Sequence, residues 1–159
     1  MKPLCLPLLL LALGFSSAIA QPIVFAVRHA EKMASLGRDA DLSPAGRARA
    51  DSLAKILKDA GIRSIFVSDL HRTQQTAAPL SRVLRLEPVI VPANDIVALN
   101  AKIRAITDGN ILVVGHSDTL PKLIQSLGIT GPMKIDDADY DNLFVVVLGA
   151  QPRLVRMHY

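Results

Sequence analysis

Short uninterrupted apolar runs that alternate with amphipathic stretches restrict the fold of this chain most strongly. Residues 23–27, 64–67 and 111–114 are apolar or nearly so, without the alternation of a half-exposed strand. Such runs are typical of strands that are buried on both faces of a parallel sheet. Residues 89–91 are predicted to add a third, shorter strand, and residues 143–148 and 154–157 two late ones. We therefore expect a sheet built largely from buried strands.

Amphipathic stretches between these runs predict helices. Ser43 followed by Pro44 predicts a helix N-terminus, and Gly61 predicts the end of that helix. Apolar spacing predicts three more helices: residues 69–84, residues 96–106 before Asp108-Gly109, and a segment with its buried stripe at residues 120, 123, 124 and 127. Strand–helix alternation predicts an α/β three-layer sandwich, a mostly parallel sheet with helices on both faces. The two consecutive late strands predict an antiparallel edge.

The first twenty residues are predicted to be a cleaved signal peptide rather than part of the fold. Lys2 precedes an apolar run over residues 4–15, and Ala18-Ile19-Ala20 has the small-x-small form of a cleavage site. The run of about twelve residues is shorter than the roughly 20 that span a bilayer. We therefore expect residues 1–20 to be removed and residues 21–159 to form one periplasmic or secreted domain, with no stable membrane insertion.

Composition excludes several functions for residues 21–159. The single cysteine, Cys5, lies in the predicted signal peptide, which excludes disulfides, thiolate catalysis and cysteine-based zinc sites in the domain. The net charge of +4 is mild, no Lys/Arg block stands out, and the chain has four Phe, two Tyr and no Trp. Nucleic-acid binders concentrate basic and stacking residues. The charge fits a small anionic substrate better than nucleic acid.

Polar residues suited to phosphate chemistry follow three of the predicted strands. These segments are RHAE at residues 28–31, SDLHR at residues 68–72 and GHSD at residues 115–118. The carboxyl ends of parallel strands meet at one edge of a sheet, where sites of open α/β folds form. We therefore expect Arg28, His29, Arg72 and His116 to converge there.

The chemistry of these four side chains indicates covalent phosphoryl transfer. An imidazole with a free nitrogen can attack phosphorus, and arginine forks bind phosphate oxygens while remaining charged. A protonated second histidine and the backbone N–H groups after Gly115 can bind the same oxygens. The set predicts transfer of a phosphoryl group to a histidine, followed by attack of water.

The same segments resemble a known family. RHAE, the run SDLHRTQQTA at residues 68–77, VGHS at residues 114–117 and the helix start LSPAG at residues 42–46 are similar to motifs of the histidine phosphatase superfamily. This superfamily contains cofactor-dependent phosphoglycerate mutases and SixA-type phosphohistidine phosphatases. The motifs occur in the family's order throughout residues 21–159, and their short spacing resembles the small SixA-like branch.

The resemblance implies roles for individual residues. His29 would become phosphorylated, and Arg28, Arg72 and His116 would bind the phosphate, with no metal or organic cofactor. The family usually has glycine where Ala30 stands. Members that act on ordinary esters also use an acidic residue to protonate the leaving oxygen, which a phosphohistidine substrate would not require. The candidates for this acid are Glu31, which lies closest to His29, and Asp69, Asp95 and Asp118.

Two alternative functions differ in chemistry. A non-catalytic phosphate-ester binding protein would keep the anion pocket without turnover. A metal-dependent hydrolase would use His29, Glu31 and His116 as ligands, although the two arginines would repel a cation and the ligand spacing matches no known motif. Export favours small phosphorylated substrates or phosphate esters of the cell envelope. The acidic segment around Tyr140 is predicted to be a solvated loop or to line the substrate entrance.

Overall fold

The computed structural model describes residues 21–34, 37 and 39–159. The predicted signal peptide therefore lies outside the described residues. No helix in the described ranges is both long and apolar enough to cross a membrane. The helices and strands are, in chain order, β1 (Ile23–Arg28), α1 (Pro44–Leu57), β2 (Ile62–Val67), α2 (His71–Leu84), β3 (Val89–Ile90), α3 (Ile96–Arg104), β4 (Asn110–Gly115), α4 (Leu120–Ser126), β5 (Asn142–Val147) and β6 (Arg153–His158).

One sheet contains the six strands of the described residues, in the order β3-β2-β4-β1-β5-β6. β1 and β2 run parallel to β4 on its two sides, and β3 runs parallel to β2. β5 pairs antiparallel with β1, and β6 antiparallel with β5. The prediction of a mostly parallel sheet with an antiparallel edge is confirmed. The register pairs Arg28 with Gly115 and Val67 with Val114, so the residues after β1, β2 and β4 lie at the same edge.

Each face of the sheet carries its own apolar core. Val113 on β4 packs with Ile103 of α3 and Leu123 of α4 on one face. Its neighbour in sequence, Val114, packs with the residues of α1 and α2 on the other face. Successive residues of a strand point to opposite faces, so a strand covered on both sides needs apolar residues throughout. The predicted three-layer sandwich with helices on both faces is confirmed.

The helix start in LSPAG places α1 against the segment that follows His29. Ser43 caps α1, since its side chain accepts a hydrogen bond from Gly46 N at 3.1 Å, and its own N–H donates to the Glu31 carbonyl at 2.8 Å. A Cβ on Gly46 would overlap the Glu31 carbonyl oxygen. Glycine is therefore required at this position because the two backbones touch.

Several boundaries differ from the prediction for tertiary reasons. α2 begins at His71 rather than residue 69, because Ser68 and Asp69 direct their side chains into hydrogen bonds with Thr73 and with Ala93 N. α1 ends at Leu57, and Gly61, at φ +67°, directs the chain into β2. β3 has only two residues, Val89–Ile90, where a three-residue strand was predicted.

Candidate active site

Two buried imidazoles lie side by side at the carboxyl edge of the sheet. His29 follows β1 and is 3% exposed, and His116 follows β4 and is 7% exposed. The His29 N–H donates to the Gly115 carbonyl at 2.9 Å, which extends the ladder between the two strands by one bond. The ring centroids are 5.4 Å apart, with the rings tilted by 60°. The sheet register thus fixes both rings at one point.

Arg28 and Arg72 line the same pocket as these imidazoles. Arg28 is the last residue of β1, and Arg72 is the second residue of α2. The Arg28 guanidinium donates from Nη1 to the Asp136 carbonyl at 3.1 Å and lies 4.2 Å from the centroid of the Tyr140 ring. The pocket has a volume of about 710 Å³. The structure therefore brings together Arg28, His29, Arg72 and His116, the four residues that the sequence predicted to converge.

His29 is held in one tautomer by its own neighbour. Its Nδ1 lies 2.8 Å from the Ala30 carbonyl oxygen, which can only accept a hydrogen bond, so Nδ1 carries the proton. Burial lowers the pKa of His29 to about 3, with further lowering by Arg72 and Arg28, against the opposing effect of the Ala30 hydrogen bond. The ring is thus neutral near pH 7, and Nε2 keeps its lone pair.

His116 is held by a serine hydroxyl. Its Nε2 lies 2.9 Å from Ser68 Oγ, and its backbone N–H donates to Thr119 Oγ1 at 3.1 Å. Burial lowers the pKa of His116 to about 4; Arg72 lowers it further, while Asp118 and Asp69 act in the opposite direction. This ring is also neutral near pH 7 when the pocket holds no anion.

Glu31 points away from the other predicted site residues. Arg49 Nε lies 3.0 Å from both carboxylate oxygens of Glu31, and Arg49 Nη2 lies 2.7 Å from Oε1. The hydrogen bonds from Arg49 hold the Glu31 pKa below its usual value. Glu31 is not among the residues that line the pocket. The candidate metal set of His29, Glu31 and His116 therefore does not converge, and within the described ranges no group of three or more His, Cys, Asp or Glu side chains does.

The other acid candidates fall into two groups. Asp69 and Asp118 line the pocket, whereas Asp95 does not. Asp95 caps α3, since its carboxylate accepts a hydrogen bond from Ala98 N at 2.9 Å. Asp69 accepts a hydrogen bond from Ala93 N at 2.9 Å. Asp118 makes no hydrogen bond or ion pair to another described residue, and its side chain is exposed at the pocket.

Comparison with known proteins agrees with this geometry. The model of the histidine phosphatase superfamily (branch 1) matches residues 24–93, a stretch that contains Arg28, His29 and Arg72. This match confirms the predicted resemblance to the histidine phosphatase superfamily. The family match and the similarity to solved phosphatase structures together support hydrolase activity for this protein. A search of the curated proteins gives no match.

Solved structures of several phosphatases share the fold of this chain. The protein histidine phosphatase SixA in complex with tungstate has a TM-score of 0.71 and 23% identity, over 86% of this chain and 96% of that one. The mycobacterial glucosyl-3-phosphoglycerate phosphatase with inorganic phosphate has a TM-score of 0.67 and 16% identity, over 87% and 97%. The phosphoserine phosphatase of Entamoeba histolytica has a TM-score of 0.63 and 15% identity, over 87% and 97%.

Ala30, where other superfamily members usually have glycine, does not narrow the pocket. Its side chain is fully buried and packs with Leu42 and Ala50, and its N–H donates to Thr76 Oγ1 at 2.9 Å. The methyl group therefore fills a small apolar cluster beneath α1. It is not among the residues that line the pocket.

The pocket rim contains residues that the sequence analysis did not single out. Among them are Lys32, Asn94 and Ser117. Asn94 follows β3 and Ser117 follows β4, so their positions after strand ends could have indicated them. Tyr140 and Asp137 also line the pocket, as one of the two interpretations of the acidic segment predicted. Asp137 accepts a hydrogen bond from Ser117 Oγ at 3.0 Å.

Proposed function

We propose that this protein is a phosphatase that hydrolyses phosphomonoesters, or phosphohistidine, through a phosphohistidine intermediate on His29. One observation carries the proposal: His29 Nδ1 lies 2.8 Å from the Ala30 carbonyl oxygen, to which it donates its proton. This hydrogen bond leaves the Nε2 lone pair free in a pocket lined by two arginines. A neutral imidazole held in a fixed tautomer is a competent nucleophile. Cations around it stabilise the charge on the transferred phosphoryl group.

The reaction proceeds in two displacements. Arg28, Arg72 and His116 bind the phosphoryl oxygens, and His29 Nε2 attacks phosphorus while the bond to the leaving oxygen breaks. Water then attacks phosphorus, the P–N bond breaks, and its electron pair returns to Nε2 as inorganic phosphate is released. The Asp136 carbonyl and the Tyr140 ring hold the Arg28 guanidinium in place. A positioned cation needs no reorganisation during the transfer.

Asp118 is the proposed proton donor for ester substrates. It lines the pocket two residues after His116, and its carboxylate is not engaged by another described residue. Glu31 is bound to Arg49, which favours its charged form, and Asp95 is occupied as the cap of α3. Asp69 also lines the pocket, but its carboxylate accepts a backbone hydrogen bond from Ala93. Asp118 is therefore the acid most available to a leaving oxygen.

Turnover of an aryl phosphate in excess chelator tests the proposal. We expect His29→Ala to reduce kcat by at least about 10³-fold, because the nucleophile is lost, and an acid-labile phosphoenzyme to appear by mass spectrometry only when His29 is present. The matched control is His71→Ala, since the His71 side chain is 61% exposed. Phosphate binding without turnover or phosphoenzyme would instead support the binding-protein alternative. Loss of turnover in chelator would support the metal-dependent alternative.

Export of the protein is a separate proposal. We propose that residues 1–20 are a signal peptide and that residues 21–159 act outside the cytoplasm on small phosphorylated substrates or envelope phosphate esters. The sequence pattern of residues 1–20 supports it. Expression of the full chain in a Gram-negative host, followed by fractionation and N-terminal mass analysis, tests it. The expected product is periplasmic and begins at Gln21; a cytoplasmic product that keeps residues 1–20 would contradict it.

A further inference from the structure

A buried pair of hydroxyl groups lies directly behind His116. Ser68 is the first residue after β2 and is 4% exposed, and Thr73, in the first turn of α2, is fully buried. Ser68 Oγ lies 2.9 Å from His116 Nε2 and 3.0 Å from Thr73 Oγ1. A chain of hydrogen bonds thus runs from the core of the protein to one ring nitrogen in the pocket.

The backbone groups around Thr73 and Ser68 favour one direction of the protons in this chain. Thr73 Oγ1 lies 2.8 Å from the Leu70 carbonyl oxygen and 3.1 Å from that of Ser68, and we infer that its single hydroxyl proton goes to one of these two carbonyls. Thr73 Oγ1 also accepts the Ser68 N–H at 3.1 Å, so its remaining lone pair is available only to accept the Ser68 hydroxyl proton. With its proton on Thr73, Ser68 Oγ accepts hydrogen bonds from the Leu70 N–H at 3.3 Å and from His116, so that His116 Nε2 carries a proton.

We propose that Ser68, oriented by Thr73, is a positioning residue that selects the Nε2–H tautomer of His116 and so presents Nδ1 to the phosphoryl group. Nδ1 makes no hydrogen bond to any described residue, and His116 lines the pocket. This inference rests on the proposed function, because it assigns the bound phosphoryl group to the anion pocket. Ser68 acts through His116 and does not itself contact the substrate.

The tautomer couples anion binding to proton uptake. In the empty pocket Nδ1 is unprotonated. When a phosphate dianion binds, Nδ1 takes one proton from solvent, and the resulting imidazolium donates from Nδ1 to a phosphate oxygen and from Nε2 to Ser68. A charge-assisted hydrogen bond at each nitrogen stabilises the cation.

The charged groups around His116 agree with this coupling. Arg72 on α2 and Arg28 on β1 lower the pKa of His116, whereas Asp118 and Asp69 raise it. The neutral His29 ring lies 5.4 Å away, centroid to centroid. With the pocket empty, burial and the arginines hold the His116 pKa at about 4. A dianion between the two guanidinium groups reverses the local potential, which raises the pKa of the ring.

Nitrogen NMR of the ¹⁵N-histidine-labelled full chain tests the tautomer without requiring turnover. His116→Gln assigns the ring signals. We expect the Nε2–H form of His116 at pH 7 and protonation of both nitrogens after addition of inorganic phosphate. An Nδ1–H tautomer in the free protein would overturn the proposal. If the tautomer is as expected but phosphate causes no change, then the proposed function is wrong while the Ser68 assignment stands.

Two variants separate positioning from simple packing. Thr73→Val keeps the side-chain shape but releases the Ser68 proton to donate to His116 Nε2, so we expect the tautomer to shift towards Nδ1–H. Ser68→Ala removes the acceptor, and we expect phosphate affinity at pH 7 to fall about 10- to 100-fold, as for loss of a hydrogen bond to a charged group. Proton uptake, measured calorimetrically in two buffers, should fall with it.

The matched control is Ser126→Ala, which removes one hydroxyl hydrogen bond, to the Leu123 carbonyl at 2.7 Å, at a residue that does not line the pocket. It should leave affinity and proton uptake unchanged. Wild-type affinity and proton uptake in Ser68→Ala would overturn the proposal. Should Ser68→Ala fail to fold, the wild-type tautomer and the shift in Thr73→Val still decide the outcome.

Discussion

Acidification from pH 7.5 to pH 5.5 should destabilise this protein through its two buried imidazoles. The pKa values of His29 and His116 in the folded protein are about 3 and about 4, against 6.5 for a solvated histidine. At pH values between the folded and the unfolded pKa, the two histidines are protonated in the unfolded chain but not in the folded protein. The free energy of unfolding therefore falls as the pH falls. The stability is fully present above pH 6.5 and is lost progressively below it.

The magnitude follows from the proton linkage. At pH 5.5 a histidine with a pKa of 6.5 is about nine-tenths protonated in the unfolded chain, whereas either buried ring is almost entirely neutral. Each ring therefore contributes a loss of about 1.4 kcal/mol relative to pH 7.5, and the two together about 2.7 kcal/mol. The Glu31 carboxylate, whose pKa is lowered, contributes stability that is lost only below its unfolded value of 4.5. It does not enter this pH window.

Urea unfolding at constant ionic strength, followed by circular dichroism, measures the effect. The double variant His29→Gln/His116→Gln should lose most of the pH dependence, whereas substitution of the exposed His71 and His158 should leave the contribution of the buried rings intact. A wild-type free energy of unfolding that is equal at the two pH values would refute the reasoning. So would a double variant with the full wild-type loss.

Three further predictions concern packing and proton donation. Gly46→Ala should lower the free energy of unfolding by about 2–4 kcal/mol in thermal or urea unfolding, because its Cβ overlaps the Glu31 carbonyl, whereas the exposed Ala45→Gly should cost about 1 kcal/mol. Glu31→Gln should lower the free energy of unfolding by about 1–3 kcal/mol because it weakens the hydrogen bonds to Arg49, and kcat should stay within about threefold of wild type. A loss of turnover comparable to that of His29→Ala would instead make Glu31 the proton donor to the leaving oxygen. Asp118→Asn should slow hydrolysis of alkyl phosphates at least about 10-fold more than that of aryl phosphates, because an aryl leaving oxygen needs less protonation. Equal slowing of both substrates, or the same selectivity in the control variant Asp95→Asn, would count against Asp118 as the proton donor.

Much of the fold could be predicted because the central strands β1, β2 and β4 are covered on both faces. Val113 and Val114 lie in separate cores, and this requirement for apolar residues on both faces made the run at 111–114 visible in the sequence. β3 was harder, since Val89 and Ile90 are both exposed and two residues carry no periodicity. The late start of α2 depends on the hydrogen bond that the Ala93 N–H donates to the Asp69 carboxylate, 24 residues away, and no local pattern indicates this bond.

The centre of the site could be predicted for a similar reason. Parallel pairing sets Arg28 beside Gly115, so the residues that follow β1 and β4 must be neighbours. The strand-end rule, that sites form at the carboxyl ends of parallel strands, therefore needs no knowledge of side-chain positions. The strand-end rule could not predict which side chains form hydrogen bonds or ion pairs with one another. Glu31 lies two residues from His29 in sequence, yet Arg49, 18 residues away, binds its carboxylate. Ser68 lies within a recognised motif, but its contact with His116 spans 48 residues and becomes visible only in three dimensions.

The pocket contains two histidines with different proposed roles: His29 as a neutral nucleophile and His116 as a group that becomes charged when the ligand binds. Burial and the two guanidinium groups together explain this difference. In the empty site both act against protonation of His29 and His116, so neither ring adds a third cation. A bound dianion reverses the electrostatic effect at His116, whose free nitrogen can take a proton. The dianion does not cause the same proton uptake at His29. There, Nδ1 already donates its proton to the Ala30 carbonyl, and Nε2 must stay unprotonated to bond to phosphorus. In the proposed mechanism, the different hydrogen-bond partners, a carbonyl for His29 and a hydroxyl for His116, therefore make one ring the nucleophile and the other the proton acceptor.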